Sequence, residues 1–255
     1  MYHPDLFRLD NQVAVITGAG AGIGRAIALT FAGAGAAVMV SDLHQQAADE
    51  VAQAITAQGG QAASMACDVT QEADLEQLVA QTIQRFGKLT TLVSNAGGGG
   101  PKPFDMPMQD FRRAFELNLF SLFRLAQLAA PAMQQAGGGA ILAITSMAGE
   151  NKNRRMAAYG ASKAATNHLI RNIAFDVGPM GIRVNGIAPG ATRTAALESV
   201  LNDDIQKAML QHTPIQRLGE PQDMANAALF LCSPAASWVS GQILTVSGGG
   251  VQELD

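Results

Sequence analysis

The sequence predicts a doubly wound α/β fold: one domain built on a seven-stranded parallel sheet with helices on both faces. Three observations lead there. Seven short apolar or β-branched runs alternate with longer helix-patterned segments, a rhythm that requires βαβ crossovers. No linker, repeat or low-complexity tract interrupts the alternation, so residues 1–255 read as a single domain. Finally, 27 glycines with only 5% aromatic residues suit tight strand–helix turns better than a β-sandwich.

"VAVIT" (13–17) is the first strand, with a helix from about Gly22. "AAVMVSD" (36–42) is the second, and "MACDV" (65–69) ends the third, ahead of a helix after Thr70. "LTTLVSNAG" (89–97), "GAILAITS" (139–146), "GIRVNGIAPG" (181–190) and "GQILTVSGGG" (241–250) complete the set. Two helices depart from simple amphipathicity. "FELNLFSLFRLAQLAAPAM" (115–133) is apolar almost all the way round, as is much of "AASWVSGQILTVSGG" near the C-terminus. Such helices need more cover than their own sheet supplies, which implies a homo-oligomer. The stretch at about 191–213 is helix-patterned and long for a loop, the mark of a substrate lid.

The composition, 48% hydrophobic and 15% charged, can bury a sizeable core. A net charge of −4 argues against a nucleic-acid footprint. "MYHPDLFRLD" has no apolar leader, and no apolar run is long enough to span a membrane, so a cytoplasmic protein is expected. Cys67 and Cys232 read as buried free thiols of a reducing compartment. No metal site is expected.

"ITGAGAGIGRAIA" (16–28) joins the first strand to the first helix, with Gly18, Gly22 and Gly24 spaced G-x-x-x-G-x-G. Side chains there would hold a pyrophosphate away from the backbone, and the helix N-terminus offers free N–H groups to an anion. Asp42 closes the second strand where an acidic residue reaches the hydroxyls of a ribose and repels a 2′-phosphate. With no basic residue beside it, NAD is favoured over NADP; the alternative role is to cap the following helix. Asp68 either accepts from an adenine amino group or helps start the helix after Thr70.

"AAYGASKAAT" (157–166) places Tyr159 and Lys163 four residues apart, on one face of a helix. Together with "TGAGAGIG", the "NAG" of 95–97, the Ser146 that ends "LAITS", and the "PG" of 189–190, it resembles the short-chain dehydrogenase/reductase family over essentially the whole chain. The one departure is Ser94 where the family often has a first asparagine. The resemblance implies an alcohol dehydrogenase using NAD. A free phenol is a poor base near neutrality, and an ammonium one turn away, together with the positive nicotinamide ring, should lower its pKa. Tyr159 is thus the expected general base, and Ser146, at the C-terminal edge of the sheet, the donor to the substrate oxygen.

By the family's pattern Lys163 also holds the nicotinamide ribose, and Asn118 supports a water relay to it; Asn118 could equally be a plain buried amide. Ile23, Val69, Asn95, Thr192, Arg193 and Thr194 are the further cofactor contacts the resemblance implies. Three segments, after strand four, before Tyr159 and after strand six, should line the pocket. Arg154, Arg155 and Arg193 either meet an acidic tail there or are ordinary solvated charges. "GGGGPKPFDMP", "SMAGENKN" and the C-terminal "FLCSPAASWVSGQILTVSGGGVQEL" resemble the family's bacterial bile-acid dehydrogenases. That likeness implies oxidation of the 7α-hydroxyl of cholate or chenodeoxycholate to the 7-oxo form. It also implies substrate contacts from Gly99, Ser146, Asn151 and Tyr159, and a homotetramer. The rivals are a 3-oxoacyl reductase, which usually takes NADPH, and a catalytically idle NAD-binding sensor.

Overall fold

The computed structural model describes residues 3–250. Its strands are β1 (Val13–Ile16), β2 (Ala37–Asp42), β3 (Gln61–Ala66), β4 (Thr91–Ser94), β5 (Gly139–Ile144), β6 (Ile182–Pro189) and β7 (Ile243–Val246). They form one sheet in the order β3-β2-β1-β4-β5-β6-β7, every pair parallel, as the sequence led us to expect. The chain winds one way through β1–β3 and the other through β4–β7. The crevice above the β1/β4 junction is therefore the natural ligand site.

Alternation along the strands sorts side chains to two cores. Ala14 and Ile16 meet Ile27 and Phe31 of α1 (Gly22–Gly33), Val51 and Ile55 of α2 (Gln45–Ala57), and Met224 and Leu231 of α9 (Pro221–Cys232). Val15, between them, faces Leu75 and Leu78 of α3 (Glu72–Phe86), Leu122 and Leu125 of α5 (Ser121–Gln135), and Ile170 and Ile173 of α6 (Ala157–Val177). α4 (Met108–Phe115) leads into α5, and the short α7 (Ala195–Glu198) and α8 (Asp203–Gln211) follow β6. Neither α7 nor α8 buries a residue.

Three expectations are corrected. β3 stops at Ala66, so Cys67–Val69 lie beyond it. The apolar helix around 115–133 is no single α-helix, because a π-turn over Glu116–Phe120 separates α4 from α5. "AASWVSGQILTVSGG" is not a helix: a 3₁₀ turn at Pro234–Ala236 and a left-handed Gly241 (φ 72°) deliver the chain into β7, which pairs with β6. The apolar surplus itself is visible, since Phe120 (57% exposed), Phe123, Phe175 and Trp238 (98%) all face outward.

Candidate functional site

The glycine turn is held from three sides. Gly18 and Gly22 take left-handed φ values of 60° and 54°, which side chains rarely adopt. A Cβ on Gly24 would lie 2.3 Å from the Gly18 carbonyl oxygen. The Asn95 amide donates to the carbonyls of Thr17 (3.0 Å) and Gly18 (2.9 Å), so this asparagine clamps the turn. The buried Thr17 hydroxyl returns the favour by accepting from the Asn95 and Ala96 N–H groups. No side chain caps the start of α1, and its first-turn N–H groups stay available to an anion.

Asp42 accepts from the Gly20 N–H through Oδ2 (3.0 Å) and from the His44 N–H through Oδ1 (3.1 Å). The His44 bond lies ahead of the helix and no side chain caps α2, so Asp42 is fixed against the glycine turn without capping that helix. A Cβ on Gly20 would come within 2.9 Å of that carboxylate. Sequence spacing singled out the neighbouring glycines and missed Gly20. Asp68 Oδ1 accepts from both the N–H and the hydroxyl of Thr70, opening the turn into α3. Leu43, Asp68 and Thr70 share a hollow at this end. The Val69 side chain belongs to the α3-side core.

Across the β1/β4 crevice a cleft of about 320 Å³ gathers Ile23, Asn95, Ser146, Tyr159, Lys163, Thr192 and Thr194. Ser146 follows β5 and accepts from the Ala148 N–H (3.1 Å), which starts a 3₁₀ turn and fixes its hydroxyl at the sheet edge. Gly99, at φ 150°, backs the Tyr159 ring so closely that a Cβ would sit 2.5 Å from Cδ2. The Asn151 amide nitrogen is buried without a hydrogen-bond partner, an orphan donor of the kind a ligand oxygen satisfies. Arg193 is turned away: its guanidinium meets Glu220 (3.2 Å) and Glu198 (3.7 Å), so only its backbone remains beside the cleft.

Lys163 differs from expectation. It shares a face with Tyr159, but its Nζ donates to the Ile144 carbonyl at 2.9 Å and lies 5.8 Å from the ring centroid. Among the described residues no hydrogen bond joins the ammonium to the Tyr159 hydroxyl. Burial pushes the Tyr159 hydroxyl up, and the hydrogen-bonded Ser146 hydroxyl pulls it back in part. Burial also lowers the Lys163 ammonium to about 8.

Asn118 lies in the π-turn, a common feature of functional helices. Its Oδ1 accepts from the Gly98 N–H (3.0 Å), and its Nδ2 donates to the Gly98 carbonyl (2.9 Å) and the Ser162 hydroxyl (3.1 Å). The carbonyl freed by the π-turn accepts from the Thr166 hydroxyl (3.1 Å). A Cβ on Gly97 would fall 2.8 Å from Asn118 Oδ1 and 3.2 Å from Lys163 Nζ, so the amide and the ammonium face each other across that glycine. Gly97, Ser162 and Thr166 lie inside the "NAG" and "AAYGASKAAT" motifs, but the sequence reading gave them no role of their own. Among the described residues no group of three or more His, Cys, Asp or Glu side chains could hold a metal, and no helix is long and apolar enough to cross a membrane.

Residues 18–250 match the family model described as enoyl-(acyl carrier protein) reductase. The chain is 64% identical over 255 residues to the 7α-hydroxysteroid dehydrogenase of Escherichia coli K12, covering 100% of both chains. It is 33% identical over 246 residues to the 7α-hydroxysteroid dehydrogenase of Bacteroides fragilis, covering 95% of each. A solved structure described as 7α-hydroxysteroid dehydrogenase complexed with NADH and 7-oxo glycochenodeoxycholic acid superposes with a TM-score of 0.98 at 64% identity, covering 100% of both chains.

Proposed function

The chain belongs to the short-chain dehydrogenase/reductase family, and from that premise we propose that it oxidises the 7α-hydroxyl of bile acids to the 7-oxo form with NAD. One observation carries the reading. The Tyr159–Ser146 hydroxyl pair opens onto the same cleft as the glycine turn, in a chain whose end-to-end relatives act on that hydroxyl. NAD fits the residues present: no side chain caps the start of α1, which leaves its first-turn N–H groups to a pyrophosphate, and Asp42 is held against Gly20 of the same turn with a charge that repels a 2′-phosphate. When bound, NAD supplies the acceptor for the substrate's hydride.

The chain's own residues do the rest. Ser146 donates to the substrate oxygen and orients it. Tyr159 Oη receives the hydroxyl proton in oxidation and returns it in reduction. Lys163 and Asn118 contact the ribose side and the route for that proton. The glycine turn and the N-terminus of α1 bind the pyrophosphate, with Ile23, Asn95 and the backbone of Thr192–Thr194 along the nicotinamide and Asp68 and Val69 along the adenosine. Gly99 and the orphan amide of Asn151 face the steroid.

Residues 191–213 form a lid within a single domain; its two short helices bury no residue, which suits a segment that opens and closes. The outward Phe120, Phe123, Phe175 and Trp238 suit a homotetramer in the cytoplasm. Mixing the protein with NAD and cholate should raise the absorbance of reduced nicotinamide and yield the 7-oxo acid. A rise with another secondary alcohol but none with cholate or chenodeoxycholate would move the substrate elsewhere.

A further inference from the structure

The wall of the cleft just ahead of Tyr159 carries a charge opposite to that of the whole molecule. The chain is net −4, yet residues 146–156 hold Lys152, Arg154 and Arg155 against the single acid Glu150. Glu150 is drawn off toward α6, where it accepts from the Asn167 amide at 2.7 Å. Arg154 and Arg155 are exposed and form no ion pair among the described residues, whereas Arg193 is committed to two glutamates.

The loop is fixed at both ends. The Asn151 N–H donates to the Met147 carbonyl (2.9 Å), and the Arg155 carbonyl accepts from the Lys102 N–H (2.7 Å), tying the loop to the wall that follows β4. Arg155 takes a left-handed φ of 61°, so this backbone is imposed by its surroundings. The three residues from Asn151 to Arg154 span at most ~10 Å of chain. Lys102 lines a hollow of about 340 Å³ together with Gly99 and Tyr159, so its backbone bond holds Arg155, and Arg154 next to it, beside that hollow.

Resting on the bile-acid reading above, we infer that Arg154 and Arg155 form a subsite for the anionic side chain of the substrate and set a preference for acidic over uncharged steroids. One end of the ligand is fixed by the hydroxyl held between Tyr159 and Ser146. A rigid ring nucleus then carries the side chain toward the rim. There a carboxylate or sulfonate pairs with the guanidiniums while it stays hydrated, and in a net-acidic protein the local positive charge also steers anions inward. An uncharged side chain gains nothing from them.

The test measures kcat/KM of wild type and of the double variant Arg154→Ala/Arg155→Ala at low and high salt. The substrates are cholate, its taurine conjugate and the uncharged alcohol of the same nucleus. The double variant should lose roughly 3- to 10-fold on the two anions at low salt, through KM with kcat unchanged. It should lose nothing on the alcohol, and the gap should close as salt rises. Arg154→Lys/Arg155→Lys should retain most of the preference. Equal losses on charged and uncharged steroids, or no loss on the anions, overturn the inference alone. If the wild type oxidises none of the three, the bile-acid reading fails and takes the inference with it.

Discussion

Replacing Lys163 by methionine should stabilise the protein while abolishing its turnover. Lys163 is 4% exposed, and its ammonium donates to the Ile144 carbonyl. Burial lowers its pKa from 10.5 to about 8, which at ~1.4 kcal/mol per pH unit makes the charged form about 3 kcal/mol costlier in the folded state. Methionine keeps an unbranched stem of similar length and removes that charge. It also strips the Ile144 oxygen of a donor, at a cost of ~1–2 kcal/mol. The net gain below pH 8 is therefore ~1–2 kcal/mol, or ~2–6 °C in Tm.

The pH dependence identifies the cause. Between about 8 and 10.5 the unfolded chain binds the lysine proton and the folded chain does not, so wild-type stability rises with pH across that window. Methionine does not titrate, so the variant's advantage is full below pH 8 and fades toward 10.5. Urea unfolding at one fixed protein concentration, at neutral pH and at about pH 9.5, reads it directly. A variant less stable than wild type at neutral pH, by an amount that does not change with pH, would refute the burial argument.

Tyr159→Phe removes only the hydroxyl that exchanges the proton, so turnover should vanish while NADH still binds, as followed by nicotinamide fluorescence; near wild-type rates would refute the assignment. Asp42→Ala removes the acceptor of the Gly20 and His44 N–H groups and the charge facing a ribose. The ratio of kcat/KM for NAD over NADP should fall by roughly 10- to 100-fold, and an unchanged ratio would refute that role. Gly99→Ala puts a Cβ 2.5 Å from the Tyr159 ring at a φ of 150°. Turnover should fall about 100-fold or more with the fold intact by circular dichroism, and a rate close to wild type would show that the ring is not held there.

The parts of the site that could be read from the sequence are those whose reasons are local. Gly18 and Gly22 need left-handed backbone within one turn, and Ser146 needs only to end a strand. Gly20 and Gly97 stand inside the quoted motifs without a role because their constraint is tertiary: the atoms a Cβ would strike belong to Asp42 in one case and to Asn118 and Lys163 in the other. The π-turn at Asn118 leaves no mark in an apolar helical pattern except one amide among leucines and phenylalanines. Its partners Gly98, Ser162 and Thr166 come from two other elements. For Arg193 the sequence left an acidic tail and a solvated charge open, and the partner that bears on the choice, Glu220, lies 27 residues away along the chain.

The helical spacing of Tyr159 and Lys163 reports a shared face and says nothing of charge. Burial decides the charge, and it drives the two groups apart: the phenol is pushed up from 10.0 while the ammonium comes down from 10.5 to about 8. Near neutral pH the chain alone therefore holds a protonated Tyr159, ready to donate to a ketone, and only the Ser146 hydroxyl works toward releasing that proton. Raising the pH favours the phenolate that oxidation requires. The same rise discharges Lys163 beyond about 8, before the phenol gives up its proton. In the unliganded chain the ammonium therefore gives up its proton before the phenol does, and helical spacing alone does not make Tyr159 a base.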